Sequence, residues 1–494
     1  MRVVQSELGT EYVTLDLQTI RLLPQILRDS EYQVRCTFFQ GASGYVLTQV
    51  DNPNASSDSL GLAVDLGTTR YVVRLVDLLT GEILGEEADD NPQITVGVDV
   101  LTRIHAADQA EGAAHLQQLI VDGLNTTIAS LCAAAKCLPN QIHNIALAGN
   151  TAMTHFLLGL PTHWMIREPY IPALNTPDLF MAKELGLQVH HGARILCFPN
   201  VGSYFGGDLF AGILSSGMDR KEEISLLVDV GTNAEVVLGC KDWLIVCAGA
   251  AGPALEEGVS KIGKQARPGI IDQINVDPET LEVHVHTIGD LPPEGICGSG
   301  VIDLAAALFQ SGLLDIRGKF VPERCPSRFF ETDWGLSFVV VPASESGTGQ
   351  DLVIGQPEID SLIRSKAAMF TILETLLTSV GLRFQDLNAF YVAGTFGNFI
   401  NPRSAIQIGM LPDLPLEYYQ PLGNSSLAGA TQILLDPESV SSLEKIHSRM
   451  TYMELNVNQD FMHRFSAAKF LPHTDPSRFP SVNISCGNTA GGNT

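Results

Sequence analysis

Positive charge is scarce in this sequence. Thirty Lys and Arg stand against 55 Asp and Glu, a formal net charge of −25. A surface of that sign repels phosphate backbones and anionic lipid unless basic residues gather locally, and none do, so no nucleic-acid partner is expected. Long apolar runs are missing as well. No stretch approaches the ~18 uninterrupted apolar residues of a membrane span, and the start, MRVVQSELGT, lacks the apolar core of a signal peptide. A cytoplasmic location, with no membrane partner, is the expectation. The nine cysteines (36, 132, 137, 197, 240, 247, 297, 325 and 486) are odd in number and none forms a Cys-x-x-Cys pair. Neither a disulfide framework nor a zinc ribbon is expected. Cys132 and Cys137 read as small helix residues, Cys240 and Cys247 as flanking a hairpin.

What is present is apolar material: 45% hydrophobic residues against 17% charged, enough for sizeable cores and too much for a disordered chain. At 494 residues the chain exceeds the size at which one core stops growing. Residues 12–50 read as a small α/β unit, with Leu15, Leu17, Ile20, Leu23 and Leu27 at near-helical spacing before Val34, Cys36 and Phe38 alternate like a strand. The run DNPNASSDS (51–59) is turn and linker chemistry. The expected organisation is a small α/β domain over 1–50, a linker over 51–60, a first lobe over 61–220, a second over 221–474, and a disordered Ser/Asn/Gly/Thr-rich tail over 475–494.

The lobes are inferred from an internal duplication. LAVDLGTTRYVVRLVDLLTGEIL (62–84) is an apolar strand, an Asp-x-Gly-Thr turn and two further strands, and LLVDVGTNAEVVLGCKDWLIVC (226–247) repeats it 164 positions later. IALAGNT (145–151) and FYVAGTFGN (390–398) are buried-type strands ending in Ala-Gly, 245 positions apart, so the second copy carries an insertion of roughly 80 residues. Helical segments precede both, around 113–135 and 359–380. Strand, hairpin, helix and strand, twice over, predict two α/β lobes of similar build facing across a cleft.

A strand that ends in Asp-x-Gly-Thr and turns at once into another places backbone N–H groups at the tip, since Gly67 and Gly231 remove the Cβ that would block close approach. Such a tip cradles phosphate. Thr68 and Thr69, with Thr232 and Asn233 in the second copy, add polar donors, and Asp65 and Asp229 can hold Mg²⁺ through its waters. One Asp-Gly-Thr alone is as readily a plain hairpin turn; ordinary turns have no reason to keep these residues in register twice. The segment Gly394-Thr395-Phe396-Gly397-Asn398 lets backbone lie flat against a base or ribose. GVSKIGKQ (258–265) approaches a P-loop, but Gln265 replaces the Mg²⁺-ligating Ser or Thr.

With DLGTT (65–69), DVGTN (229–233) and AGTFGN (393–398), the chain resembles the ATP-binding superfamily of acetate and sugar kinases, heat-shock chaperones and actin, a duplicated actin-like, ribonuclease H-like fold. NPQITVGVDVLTRI (91–104), AGNTAMTHFLLGL (148–160), AGAAGPALEEG (248–258), EGICGSGVIDLAAAL (294–308), AGTFGNFINPRSAIQIGMLP (393–412) and GNSSLAGA (423–430) resemble, more narrowly, the ATPase region of the reductive activators of corrinoid proteins, from about Thr14 to Pro472. The resemblance implies an ATPase that couples ATP binding and hydrolysis to reduction of Co(II) to Co(I) on a partner corrinoid protein or cobalamin-dependent methyltransferase. It implies that Asp65, Gly67, Thr68, Asp229, Gly231 and Thr232 form the two phosphate motifs, and that Gly394 and Gly397 meet adenosine. It also suggests that Asp208, in GGDLFAG, has a cleft or Mg²⁺ role, against a reading as a helix cap.

The sequence departs from that family in two places. The plant-type cysteine spacing of its [2Fe–2S] domain is absent, so no iron–sulfur cluster is expected and electrons are expected from a separate ferredoxin or other donor. Residues 12–50 look like its small middle domain, and VSKIGKQARPG (259–269) drifts from its Cys-containing string. No Asp-x-His-x-x-Gly is present to bind a corrinoid. A homodimer is compatible with all of this. Two other readings share the scaffold: a small-molecule kinase, which needs a carboxylate base beside an acceptor pocket, and a nucleotide-gated binding protein without turnover.

Overall fold

The computed structural model describes residues 2–53, 59–230, 234–249, 260–394, 397, 400–453 and 460–483. The chain forms two compact units, residues 1–220 with 424–450, and 221–423 with 451–494.

The first unit opens with the expected small α/β element. Asp16 caps the helix Leu17–Asp29, accepting from Thr19 N at 2.7 Å. β1 (Val13–Thr14), β2 (Arg35–Gly41) and β3 (Gly44–Asp51) form a three-stranded sheet in the order β1-β3-β2. A larger sheet follows, built from β4 (Leu60–Leu66), β5 (Arg70–Asp77), β6 (Ile83–Asp90), β7 (Ile142–Gly149), β8 (Leu179–Met181) and β9 (Arg194–Cys197) in the order β6-β5-β4-β7-β9-β8. β4 and β5 pair antiparallel, as do β5 and β6, whereas β4–β7 and β7–β9 are parallel. β7 is buried along its whole length and β4 nearly so, as continuous apolar strands covered on both faces must be. The cover is helical: Ala110–Ala135 packs on β5 and β6, and Gly207–Ser216 and Ser425–Leu435 pack around β4 and β7.

In the second unit β10 (Ser225–Val230), β11 (Ala234–Cys240), β12 (Trp243–Gly249), β19 (Ala389–Ala393) and β20 (Tyr419–Gly423) run in the order β20-β19-β10-β11-β12. Two antiparallel pairs are again followed by two parallel ones. Strand for strand this is the β9-β7-β4-β5-β6 arrangement of the first unit, so the duplication read from the sequence is a duplication of topology. The extra residues between β12 and β19 build two three-stranded sheets: β13 (Ile270–Val276), β14 (Val283–Thr287) and β15 (Gly295–Ile296), then β16 (Phe329–Thr332), β17 (Gly335–Val341) and β18 (Leu352–Gly355). The long helix Gln356–Ser379 follows. The fold is the duplicated α/β, actin-like class expected, preceded by a small α/β element.

The string GVSKIGKQ, not expected to be a true P-loop, leads into turns over 260–269. Two expectations are refined. Cys132 lies in the last turn of the helix Ala110–Ala135, but Cys137 lies just beyond it, after the left-handed cap Lys136. The disorder expected from 475 does not hold for 475–483: Phe479 and Val482 are buried in the second core, Phe479 packs on Phe370, and Arg478 pairs with Glu374. Lys366, fully buried, fixes the preceding segment by donating to Phe470 O at 2.5 Å and Pro472 O at 2.7 Å. Composition marked this stretch as polar; two aromatic and aliphatic side chains and one buried cation outweigh it. The remainder of the expected tail, 484–494, lies outside the described residues.

The return of residues 424–450 to the first unit depends on a close helix–helix approach. A Cβ on Gly429 would lie 2.4 Å from Ala211 O and 2.6 Å from its Cα. Gly429→Val is therefore expected to destabilise the protein by about 1–3 kcal/mol, the usual cost of overpacking, read from urea unfolding; an unchanged midpoint would contradict this packing.

Candidate nucleotide site

In the first unit the Asp-Leu-Gly-Thr-Thr tip is held from behind by Asn91. Its Nδ2 donates to Gly67 O at 2.9 Å and its backbone N to Thr69 O at 2.8 Å. Because a trans peptide points its C=O and the next N–H in opposite directions, tying Gly67 O back turns the Thr68 N–H away from Asn91. Gly67 is required for the turn itself, as a Cβ there would lie 2.4 Å from Arg70 O. Thr68 is half-buried and Thr69 exposed. The Thr68 hydroxyl accepts from Asn150 Nδ2 at 2.9 Å, while Asn150 Oδ1 caps the helix Thr151–Leu158 by accepting from Met153 N at 3.0 Å.

Asp65, at the end of β4, is half-buried; its Oδ2 accepts from Asn424 Nδ2 at 2.8 Å. Asn424 also caps Ser425–Leu435, its Oδ1 accepting from Leu427 N at 2.8 Å. Asp208 enters the same recess from the first turn of Gly207–Ser216, its Oδ1 accepting from Leu209 N at 2.8 Å. Burial pushes Asp65 up to about 7; the Asn424 bond opposes this and the Asp208 charge adds to it. Burial pushes Asp208 up to about 6, opposed by backbone N–H groups. Two desolvated carboxyl groups, one of them raised further by the charge of the other, suit a cation.

The donor set is all oxygen, and among the described residues no group of three or more His, Cys, Asp or Glu side chains is placed to hold a metal. Two carboxyl groups beside the Gly67–Thr69 turn are a donor set of the kind Mg²⁺ takes, an ion that keeps several waters and is held by one or two carboxylates.

The second unit repeats the framework. Asp229, half-buried, ends β10, opposite Glu235 on β11 and beside Ala393 on β19, as Asp65 stands beside Ala148. Gly394 follows β19 with φ 79°, in the left-handed region that favours glycine. Gly397 is buried, and a Cβ on it would lie 2.5 Å from Val392 O. Gly231, Thr232, Asn233 and Thr395 lie outside the described residues. The structure thus brings Asp65, Gly67, Thr68 and Asp208 together, with Asp229, Gly394 and Gly397 in the other unit. Sequence reasoning missed Asn91, Asn150 and Asn424. The available signal was Gly-Asn-Thr and Gly-Asn-Ser, each a strand end followed at once by a helix cap.

The fold is that of the actin-like superfamily. Residues 223–483 match the C-terminal domain of RACo, the ASKHA domain, and residues 60–221 match the RACo middle region. The chain belongs to this family. The middle-region description attaches to 60–221, not to the small unit over 12–50 for which it was expected. The chain is 27% identical over 482 residues to the corrinoid activation enzyme RamQ of Eubacterium limosum, covering 93% of this chain and 81% of that protein. It is 24% identical over 426 residues to a [Co(II) methylated amine-specific corrinoid protein] reductase of Methanosarcina barkeri, covering 79% and 73%. A solved structure of a reductive activator for corrinoid, iron–sulfur protein aligns with TM-score 0.84 at 38% identity, over 95% of this chain and 75% of that one.

Two outcomes follow from this geometry. Asp65 binds protons more tightly when folded, about 7 against the ordinary 3.8. Its contribution to stability is therefore fully present below pH ~4 and lost as pH rises through about 7. Asp65→Asn should flatten the decline in Tm between pH 5 and 8; parallel curves for variant and parent would contradict the assignment. Asn424→Ala, which removes both a cap and a carboxylate partner, should cost about 1 kcal/mol in urea unfolding. It should also move the Asp65 titration to still higher pH.

Proposed function

We propose that this protein is an ATP-dependent reductive activator of a corrinoid protein. The observation that carries the reading is the open Gly67–Thr69 tip with Thr68 and the carboxylates of Asp65 and Asp208 at its side. The names of the relatives supply the target, a corrinoid protein with cobalt as Co(II). The turned-out Thr68 N–H and the tip hydroxyls bind phosphate oxygens. Asp65, with Oδ2 committed to Asn424, would hold Mg²⁺ through Oδ1 and water, together with Asp208. When bound, the ion would supply neutralisation of phosphate charge. On this reading Asp229, Gly231, Thr232 and Asn233 are assigned the same phosphate role in the second unit, and Gly394, Thr395 and Gly397 the adenosine role.

The target reaction needs an energy source. Each 100 mV of uphill one-electron transfer costs about 2.3 kcal/mol, and ATP binding and hydrolysis offset it by favouring a conformation that changes how the partner's cobalt is ligated. The electron passes from a separate low-potential donor to Co(II), giving Co(I). The reaction belongs to the cytoplasm, and the described residues contain no helix long and apolar enough to cross a membrane.

Slow ATP turnover, stimulated by a corrinoid protein in the Co(II) state, is the expected activity. Asp65→Ala and Asp229→Ala should each lower it by ~10²-fold, the scale for removing an electrostatic participant; phosphate release at the parental rate in both would defeat the assignment.

A further inference from the structure

Arg103 is a fully buried cation on the helix Val100–Ala107. Its Nε donates to Gly97 O at 2.8 Å, and its Nη1 to Gln93 Oε1 at 3.3 Å and Met153 Sδ at 3.6 Å. Its Nη2 has no partner among the described residues. No carboxylate of the described residues forms an ion pair with it. Asp99 is the acid whose field it feels, and that carboxylate caps the helix, accepting from Thr102 N at 2.9 Å and Thr102 Oγ1 at 2.8 Å. A purely structural staple explains the contacts to Gly97 and Gln93 but not the charge, because burying an ion without a counter-ion is costly.

The place of that charge is informative. Gln93 N donates to Asn91 Oδ1 at 3.0 Å, and Asn91 Nδ2 contacts both Gly67 O, at 2.9 Å, and Met153 Sδ, at 3.5 Å. Arg103 Nη1 and Asn91 Nδ2 thus share one sulfur. The guanidinium stands immediately behind the residue that ties back the Asp-Leu-Gly-Thr-Thr tip, on the side opposite the turned-out Thr68 N–H.

We propose that Arg103 is a positioning residue for phosphate: it fixes Gln93 and Asn91 behind the tip, and its buried charge is compensated when an anion occupies the tip's open side. The inference rests on the nucleotide reading above and adds to it a residue that touches no ligand. A buried charge acting through low-dielectric protein is weakly screened by salt, so its effect should grow with the negative charge of the ligand.

The test measures binding of ATP, ADP and adenosine, with Mg²⁺, to the full chain and to Arg103→Gln and Arg103→Lys by calorimetry. Arg103→Gln should weaken ATP binding about tenfold or more and ADP binding less, leave adenosine unchanged, and be largely rescued by Arg103→Lys. Equal ATP affinity in Arg103→Gln and parent, or one uniform loss that includes adenosine, would overturn the proposal. Should Arg103→Gln not fold, Gln93→Glu places a carboxylate against Nη1. It should raise Tm without nucleotide while weakening ATP, and an unchanged ATP affinity would overturn the proposal equally. A parent protein that binds no ATP at all would instead defeat the nucleotide reading, and this one with it.

Discussion

The hydrogen bond from Asn424 to Asp65 is the constraint on which the first unit's site depends. It joins the end of β4 to a helix cap 359 residues later in the chain, and it opposes the burial that pushes the Asp65 carboxyl toward neutral pH. Asn424 reaches that position because Ser425–Leu435 lies against Gly207–Ser216, where Gly429 lets the backbones approach. The helix Gly207–Ser216 carries Asp208 into the same recess. Packing and electrostatics are therefore one arrangement: the glycine contact that brings the helices together also sets Asp208 close enough for its charge to act on Asp65.

Much of the fold was legible in the sequence because the signals were local and repeated. Apolar strands ending in Asp-x-Gly-Thr, followed by hairpins of alternating residues, gave β4–β6 and β10–β12, and the Ala-Gly endings gave β7 and β19. The transfer of residues 424–450 into the first unit was not legible, since it depends on a contact between Gly429 and Ala211 that leaves no periodic trace. The burial of Phe479 and Val482 escaped for a related reason: short apolar groups in a polar stretch are recognised only once a surface exists to receive them.

The site followed the same division. The first tip was legible as a turn because Gly67 and the threonines after it follow the apolar strand at fixed positions. The three asparagines were not, since each works by spanning two elements: Asn91 from behind the tip, Asn150 from a helix cap to Thr68, and Asn424 from another cap to Asp65. Asparagine suits these places because one amide both accepts from a helix N–H and donates to a neighbour without adding charge to a recess that already holds two acids. Arg103 behind the tip carries the compensating sign at greater depth.

The central claim is that the recess around Asp65 and Asp208 receives a magnesium nucleotide. Cation binding ionises carboxyl groups that are partly protonated near neutrality, so it should release protons. Calorimetric titration of MgATP at pH 7 in two buffers of different ionisation enthalpy tests this most directly. The account predicts saturable binding whose apparent enthalpy differs between buffers in the direction of proton release, and buffer-independent heats, or no binding, would contradict it.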